Sequence, residues 1–249
     1  MNQELYEMIF KRKSFHVFAG VGDEKITEEE LKDIEAEFEK IKPLVEDIDV
    51  KIKIVKNGTN CKVGQEYCVL FYSEKKENYL QNIGYMGAQL DLYLVSKNIG
   101  TLWCGIAKPE EQQLDGLDYV IMLAIRKVDS TEKFRKDLFK TNRKDFNVIW
   151  QGDYFIDVGN MARFAPSACN SQPWRVETME NELKVYRHKG KLSIMPKEMM
   201  KYFNQIDMGI FLSFLELCMA HENIAFEREV FEEKDHDAED NLTAAYMVK

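Results

Sequence analysis

The sequence predicts an α+β chain of two related halves packed around two long central helices. Three observations carry that expectation. Short segments recur at about half the chain length, two long runs are apolar with helical spacing, and short strand-like runs lie between them. Arg12-Lys13-Ser14-Phe15-His16-Val17-Phe18 shares four of seven residues with Arg143-Lys144-Asp145-Phe146-Asn147-Val148-Ile149, 131 positions later. Gly84, Leu90, Leu92, Asn98 and Ile99 recur as Gly209, Leu215, Leu217, Asn223 and Ile224, 125 positions later, and Asp91 meets Glu216 at the same offset. A weaker match pairs Tyr119–Ile125 with Ala244–Lys249. The halves are placed at 1–129 and 130–249 as one compact unit, because no Pro-, Gly- or Ser-rich linker divides them.

In chain order, each half is expected to open with a short helix ending in the R-K-x-F run. Thr27 then caps a helix whose first turn holds Glu28, Glu29 and Glu30, where the helix dipole favours anions. That helix is expected to reach Lys42, with Pro43 as its stop. Val50–Val55 and Tyr67–Tyr72 read as strands. A long apolar helix follows from Tyr79 to Asn98, with Gly100 as its left-handed stop, and its counterpart runs from Lys197 to Glu222. Val120–Ile125, Arg175–Thr178, Leu183–His188 and Tyr246–Val248 complete the strands. Two charged segments stand out: Lys133–Lys144, with six basic residues and one acid, reads as a solvated face or, together with Lys11, Arg12 and Lys13, as an anion pocket, and Glu227–Asp240, with eight acids and two bases, reads as a solvated face or loop.

Composition narrows the function. The 249 residues are 45% hydrophobic and 31% charged, which is globular. A formal charge of −9 argues against binding nucleic acid or an anionic membrane through the overall field. Five cysteines without a C-x-x-C pair argue against a disulfide framework or a zinc site, and fit a cytoplasmic protein with reduced thiols. The N-terminal run MNQELYEMIFKRKSF has no apolar h-region, so no secretory leader is expected. The apolar stretch Ile206–Ala220 contains Asp207 and Glu216 and is too short to span a bilayer. No P-loop, Rossmann fingerprint or nucleophile elbow is present, and His16, His188, His221 and His236 lack metal spacing.

The most distinctive segment is Ala165-Pro166-Ser167-Ala168-Cys169-Asn170-Ser171-Gln172-Pro173-Trp174-Arg175. Two prolines fix its backbone and hydrogen-bonding residues lie between them, which suits a loop held against a planar heterocycle or a structural helix-to-strand connection. This run resembles the P-S-x-x-N-x-Q-P-W signature of the flavin-dependent nitroreductase family. R-K-S-F-H-V-F resembles that family's FMN-phosphate run. Asn82-Ile83-Gly84 through Gly100-Thr101-Leu102-Trp103-Cys104-Gly105 resembles its central helix and the turn beside the flavin.

The resemblance implies a nitroreductase-like fold, with mixed, mainly antiparallel sheets flanked by helices. Ordinary members are homodimers with FMN at the interface. Here the phosphate run is intact in the first half and the ring loop in the second, which resembles the family's tandem-half, pseudo-dimeric branch. A monomer is therefore expected, with one composite site. Arg12, Lys13, Ser14 and His16, with Arg135 and Lys136, are implied for the phosphate, and Lys62 is held loosely beside them. Pro166, Ser167, Ala168 and Asn170 are implied for the ring or ribityl chain, and Gln172 more for fixing the loop. Trp103 is implied for the pocket wall, and backbone amides near Cys104, Gly105 and Ile106 for the flavin N5 region. The second site should be dead, since Asp145 replaces Ser14 and Lys42–Ile52 lacks the ring motif.

The implied reaction takes hydride from NADH or NADPH and reduces a small-molecule electron acceptor such as a nitroaromatic or quinone by a ping-pong mechanism. It requires no particular acid–base side chain, and no catalytic residue is assigned. A flavin-binding store or sensor without efficient nicotinamide turnover is the alternative. A scaffold without flavin is a third reading, suggested by His16 where the family carries arginine.

Overall fold

The computed structural model describes residues 3–189, 196–233, 235 and 238–249; His236 lies outside them. The first part of the chain runs α1 (Gln3–Lys11), α2 (Glu28–Phe38), β1 (Val50–Val55), β2 (Tyr67–Ser73), α3 (Tyr79–Ser96), β3 (Ile99–Trp103), β4 (Gln113–Leu114) and β5 (Leu117–Lys127). The rest runs α4 (Phe146–Ile149), β6 (Trp150–Gln151), α5 (Ile156–Ala162), β7 (Trp174–Met179), β8 (Glu182–His188), α6 (Lys197–His221), β9 (Phe226–Val230) and β10 (Asp240–Val248).

The two sheets repeat one topology. The first has the order β1-β2-β5-β3, with β4 on β5, and all its pairings are antiparallel. The second has β7-β8-β10-β9, also antiparallel, with β6 added in parallel on β7. The protein is therefore α+β, with mainly antiparallel sheets flanked by helices.

Helices α3 and α6 are buried on nearly every side, as expected of helices that are apolar all round. By length and composition α6 could cross a membrane, yet it is mostly buried inside the protein. The two helices pack at glycines because their backbones touch. A Cβ on Gly84 would stand 2.0 Å from the Ile206 carbonyl oxygen, and a Cβ on Gly209 would stand 1.9 Å from that of Gln81. Ile206 and Gln81 are themselves 125 positions apart, so each contact is the image of the other. A second apolar cluster, with Phe15, Phe18, Tyr72, Met122 and Phe134, joins the segment after α1 to strands of the first sheet.

Several expected boundaries move. Helix α2 has the full Thr27–Glu30 capping box but ends at Phe38, because Lys40 and Ile41 already make tighter turns to Glu37 and Phe38. Asn98, at φ 57°, takes the left-handed position after α3, and Asn223, at φ 58°, takes it after α6. Gly100 instead lies inside β3, where a Cβ would meet the Phe15 ring at 2.9 Å. Among the described residues no α-helix stands between β5 and the second R-K-x-F run; two 3-10 turns, Thr131–Lys133 and Leu138–Lys140, stand there instead. The acidic segment begins as strand β9, whose alternating burial comes from pairing with β10.

Candidate active site

A cavity of about 610 Å³ opens between the halves. From the first half come Ser14 and His16, the Asn60–Val63 loop and the Leu102–Ala107 turn after β3. From the second come Pro166, Ser167, Ala168 and Cys169, and Phe203, Ile206, Asp207 and Ile210 of α6. Of the residues singled out from sequence, Ser14, His16, Trp103, Cys104, Gly105, Ile106, Pro166, Ser167 and Ala168 form its wall together, with Lys62.

The other six stand behind or beside that wall. Arg12 is buried, and its Nε donates to Asp91 at 2.8 Å. Its Nη1 donates to the Ser14 hydroxyl at 3.2 Å, and Nη2 is buried without a partner among the described residues. Arg135 donates to the Arg12 carbonyl at 2.7 Å; burial first, then Arg12, lowers its pKa. Lys13 is exposed and donates to the Lys133 carbonyl, and Lys136 is exposed. Asn170, at φ 54°, turns towards Arg143, whose Nη1 donates to its Oδ1, and towards the Asn142 carbonyl, to which its own amide donates. Gln172 is buried, and its Oε1 accepts from the Lys144 backbone.

The second copy of the basic run has a different task from the first. Arg143 donates to the carbonyls of Phe164 and Ala165, and the Lys144 ammonium donates to those of Ser171 and Gln172. The run thus braces the Ala165–Arg175 loop from behind. Burial pushes the Arg143 guanidinium down to about 10, with Arg135 and Arg12 adding to the shift, and pushes Lys144 down to about 8. Guanidinium groups of both halves therefore converge behind Ser14.

Asp91, buried on α3, organises the floor. It accepts from Arg12, from the Thr101 hydroxyl at 2.5 Å and from the Trp103 indole at 3.0 Å. Trp103 is fixed further by stacking on Phe71, and Gly87 leaves room for its ring edge. Gly105 passes close under the Phe203 ring, where a Cβ would stand 2.8 Å away. Trp174, by contrast, is a core residue stacked on Phe211 at 4.8 Å.

Asp207 is the wall residue that the motifs did not reveal. Both its oxygens accept from the Ala168 backbone, at 2.9 and 3.1 Å, and one also accepts from the Ser171 hydroxyl. Burial pushes its carboxyl up to about 8, against the pull of those hydrogen bonds. Its signal in the sequence was an acid inside an apolar helical run.

The corresponding positions of the other half are filled differently. Asn82, 125 positions before Asp207, accepts from the backbones of Leu44 and Val45. Arg228, 125 positions after Trp103, bridges Glu216 and the Leu44 carbonyl and lies over the Tyr85 ring. At the positions matching Asp207 and Trp103, side chains thus bind the Leu44–Val45 backbone.

Comparison with known proteins decides the family. A family model described as "Putative TM nitroreductase" matches residues 4–219. The chain belongs to that family. Membership assigns it a general oxidoreductase role. A structure described as a "putative nitroreductase" from Thermotoga maritima superposes with a TM-score of 0.64, covering 100% of this chain and 94% of that one at 19% identity, a likeness of fold. Structures of a nitroreductase family protein from Clostridium difficile and of a "Putative NADH dehydrogenase/NAD(P)H nitroreductase" from Parabacteroides distasonis each cover 62% of this nitroreductase-family chain. They cover 99% and 100% of their own chains, with TM-scores of 0.45 at 13% and 14% identity. No curated protein matches the sequence.

Proposed function

We propose that this chain is an FMN-dependent oxidoreductase that takes hydride from NADH or NADPH and reduces a flat small-molecule acceptor, such as a nitroaromatic or quinone. One observation carries the reading. The wall of a single cavity joins Ser14 and His16 of the first basic run to Pro166–Cys169 of the second half's ring loop. Its volume is in the range that suits a cofactor.

The residues present fit the group. Arg12 has a buried, unpartnered Nη2 and supports Ser14, and Lys62 stands on the same wall, a donor set suited to a phosphate. Ile206, Ile210, Phe203 and Trp103 offer apolar faces to a ring system. The Cys104 amide is already spent on the Met122 carbonyl at 2.9 Å, so the Gly105 and Ile106 amides are the donors assigned to the N5 side. FMN, when bound, supplies two-electron chemistry in two half-reactions, first with the nicotinamide and then with the acceptor. The protein's part is to hold the phosphate end at Ser14, His16 and Lys62. It also keeps the loop at Ala168 rigid through Asp207 and screens the ring from water with α6. Because Arg228 ties the matching position of the other half to Glu216 and the Leu44 carbonyl, we read that side as closed and assign one FMN per chain and a chain that works as its own pseudo-dimer.

The test is the visible spectrum of the purified protein, with released flavin counted per chain, followed by NAD(P)H oxidation with nitro and quinone acceptors. About one FMN per chain and acceptor-dependent turnover are expected. No flavin after reconstitution would remove this reading. Bound flavin that nicotinamide never reduces would shift it to a store or sensor.

A further inference from the structure

Two cysteines meet on the wall of the cavity. The sulfurs of Cys61 and Cys104 lie 3.4 Å apart, and both residues are 8% exposed and line the cavity. They come from separate elements, the Asn60–Val63 loop and the turn after β3.

The backbone fixes both sides of this contact. Asn60 donates to the Lys108 carbonyl at 3.1 Å and its Oδ1 accepts from the Lys108 backbone at 2.7 Å. Glu110 donates to the Gly58 carbonyl at 2.8 Å, and Cys104 donates to the Met122 carbonyl at 2.9 Å. The pair is therefore placed by paired backbones, and the sulfurs must close from 3.4 Å to the ~2 Å of a disulfide.

Cys68 is close to the pair but faces the Thr59 hydroxyl at 3.7 Å and is absent from the cavity wall. Burial pushes its thiol up to about 12. Cys169 is exposed on the opposite loop, and Cys218 is buried in the core. Burial, and then its neighbour Cys61, raises the Cys104 thiol.

We propose that Cys61 and Cys104 form a dithiol centre of the cavity that is oxidised by a small neutral disulfide. In the first step the Cys61 thiolate attacks one sulfur of the disulfide, the S–S bond breaks, and one thiol leaves with the proton given up by Cys61. In the second, Cys104 loses its proton and attacks the Cys61 sulfur of the mixed disulfide, and the second thiol leaves with that proton. Two cysteine thiols are oxidised to one disulfide, and one small disulfide is reduced to two thiols. A dithiol reductant reverses the sequence. The assignment does not depend on the cofactor reading, since it uses no electron from the nicotinamide.

The experiment incubates the purified full-length protein with 2-hydroxyethyl disulfide, blocks free thiols, and maps peptides by mass spectrometry without reduction. The expected product is a Cys61–Cys104 linked peptide in most chains, lost again on adding dithiothreitol, while Cys169 carries an unlinked adduct. In Cys104→Ser the adduct at Cys61 should persist, because the resolving thiol is gone. Free, alkylatable Cys61 and Cys104 in the wild type would overturn the proposal, as would a Cys61–Cys68 link. The wild-type map decides the matter even if the variant fails to fold.

Discussion

Asp91 on α3 and Glu216 on α6 stand 125 positions apart, and each gathers one guanidinium and two neutral donors. Asp91 takes Arg12, Thr101 and Trp103; Glu216 takes Arg228 at 2.7 Å and the hydroxyls of Tyr85 and Tyr246 at 2.7 and 2.8 Å. The carboxylates serve different ends. Around Asp91 the donors leave a cavity open and shape its wall. Around Glu216 one donor, Arg228, reaches across to the Leu44 carbonyl. Matching positions of one repeated topology therefore do different work, and the difference lies in the side chains hung on them.

The strongest way to break this comparison is to remove the carboxylates in turn. Asp91→Ala leaves the Arg12 guanidinium buried and unpaired, a change that typically costs about 3–5 kcal/mol. Glu216→Ala strands two buried tyrosine hydroxyls and an arginine that is partly exposed, so a slightly smaller loss is expected. Urea unfolding measures both losses. FMN affinity should fall sharply in the first variant and stay near wild type in the second, provided each still folds. Equal loss of flavin in both would mean that the open and closed readings are mistaken.

A comparable test strikes the shared frame rather than either site. Gly84→Ala and Gly209→Ala each drive a Cβ against a backbone carbonyl that cannot swing aside. Overpacking of this kind costs on the order of 3 kcal/mol. Because the two contacts are images of one another, the two variants should lose similar stability in the same denaturation assay. A harmless substitution at either glycine would show that the crossing is looser than its geometry.

The glycines also show how much of this was legible. The recurrence of Gly84 and Gly209, with Asn98 and Asn223, exposed the duplication because backbone contact and left-handed turns admit few residue types. The strands with alternating or wholly apolar faces were readable for the same reason. Strands β3 and β9 were not: Gly100 in β3 read as a helix stop, and the alternation of β9 sits in an acidic run whose pairing with β10 is a tertiary fact. The cavity wall was legible where a motif marked it, at Ser14, His16, Trp103–Ile106 and Pro166–Ala168. Arg143 and Lys144 were read as a failed phosphate run because of Asp145; their actual partners, the carbonyls of the ring loop, lie about 20–30 residues onward and carry no side-chain signature. Asp207 meets the Ala168–Ser171 loop and Cys61 meets the turn after β3 only through tertiary packing, which no local pattern encodes.

Asp207 and Asn82 sharpen the comparison with a pH dependence. Both side chains accept from a loop backbone, but only Asp207 can ionise. Its folded pKa of about 8 lies above the unfolded value near 4, so the folded state binds the proton more tightly. The resulting stability is fully present below about pH 4 and is lost as pH rises through about 8. Asp207→Asn copies the neutral acceptor of the other half. Between pH 6 and pH 9 the wild type should lose about 3 kcal/mol more than this variant does. Parallel unfolding curves at the two pH values in both proteins would remove the assignment of this group.

The smallest expected effect compares the two helix ends. Asn98 and Asn223 both hold φ near 57°, a backbone that costs an L side chain something and glycine almost nothing. Asn223 is exposed, and its side chain has no partner among the described residues, so Asn223→Gly changes the backbone preference alone. Glycine relieves the left-handed strain but also loosens the unfolded chain, so the net shift should lie within about 0.5 kcal/mol of zero. Asn98 differs because its Oδ1 accepts from the Lys11 ammonium at 2.7 Å, tying α1 to the end of α3 just before Arg12. Asn98→Gly should therefore cost about 1 kcal/mol more than its counterpart. That difference, read from paired denaturation midpoints, isolates what the first half adds to a turn that both halves share. It places the addition beside the basic run that leads to the open cavity.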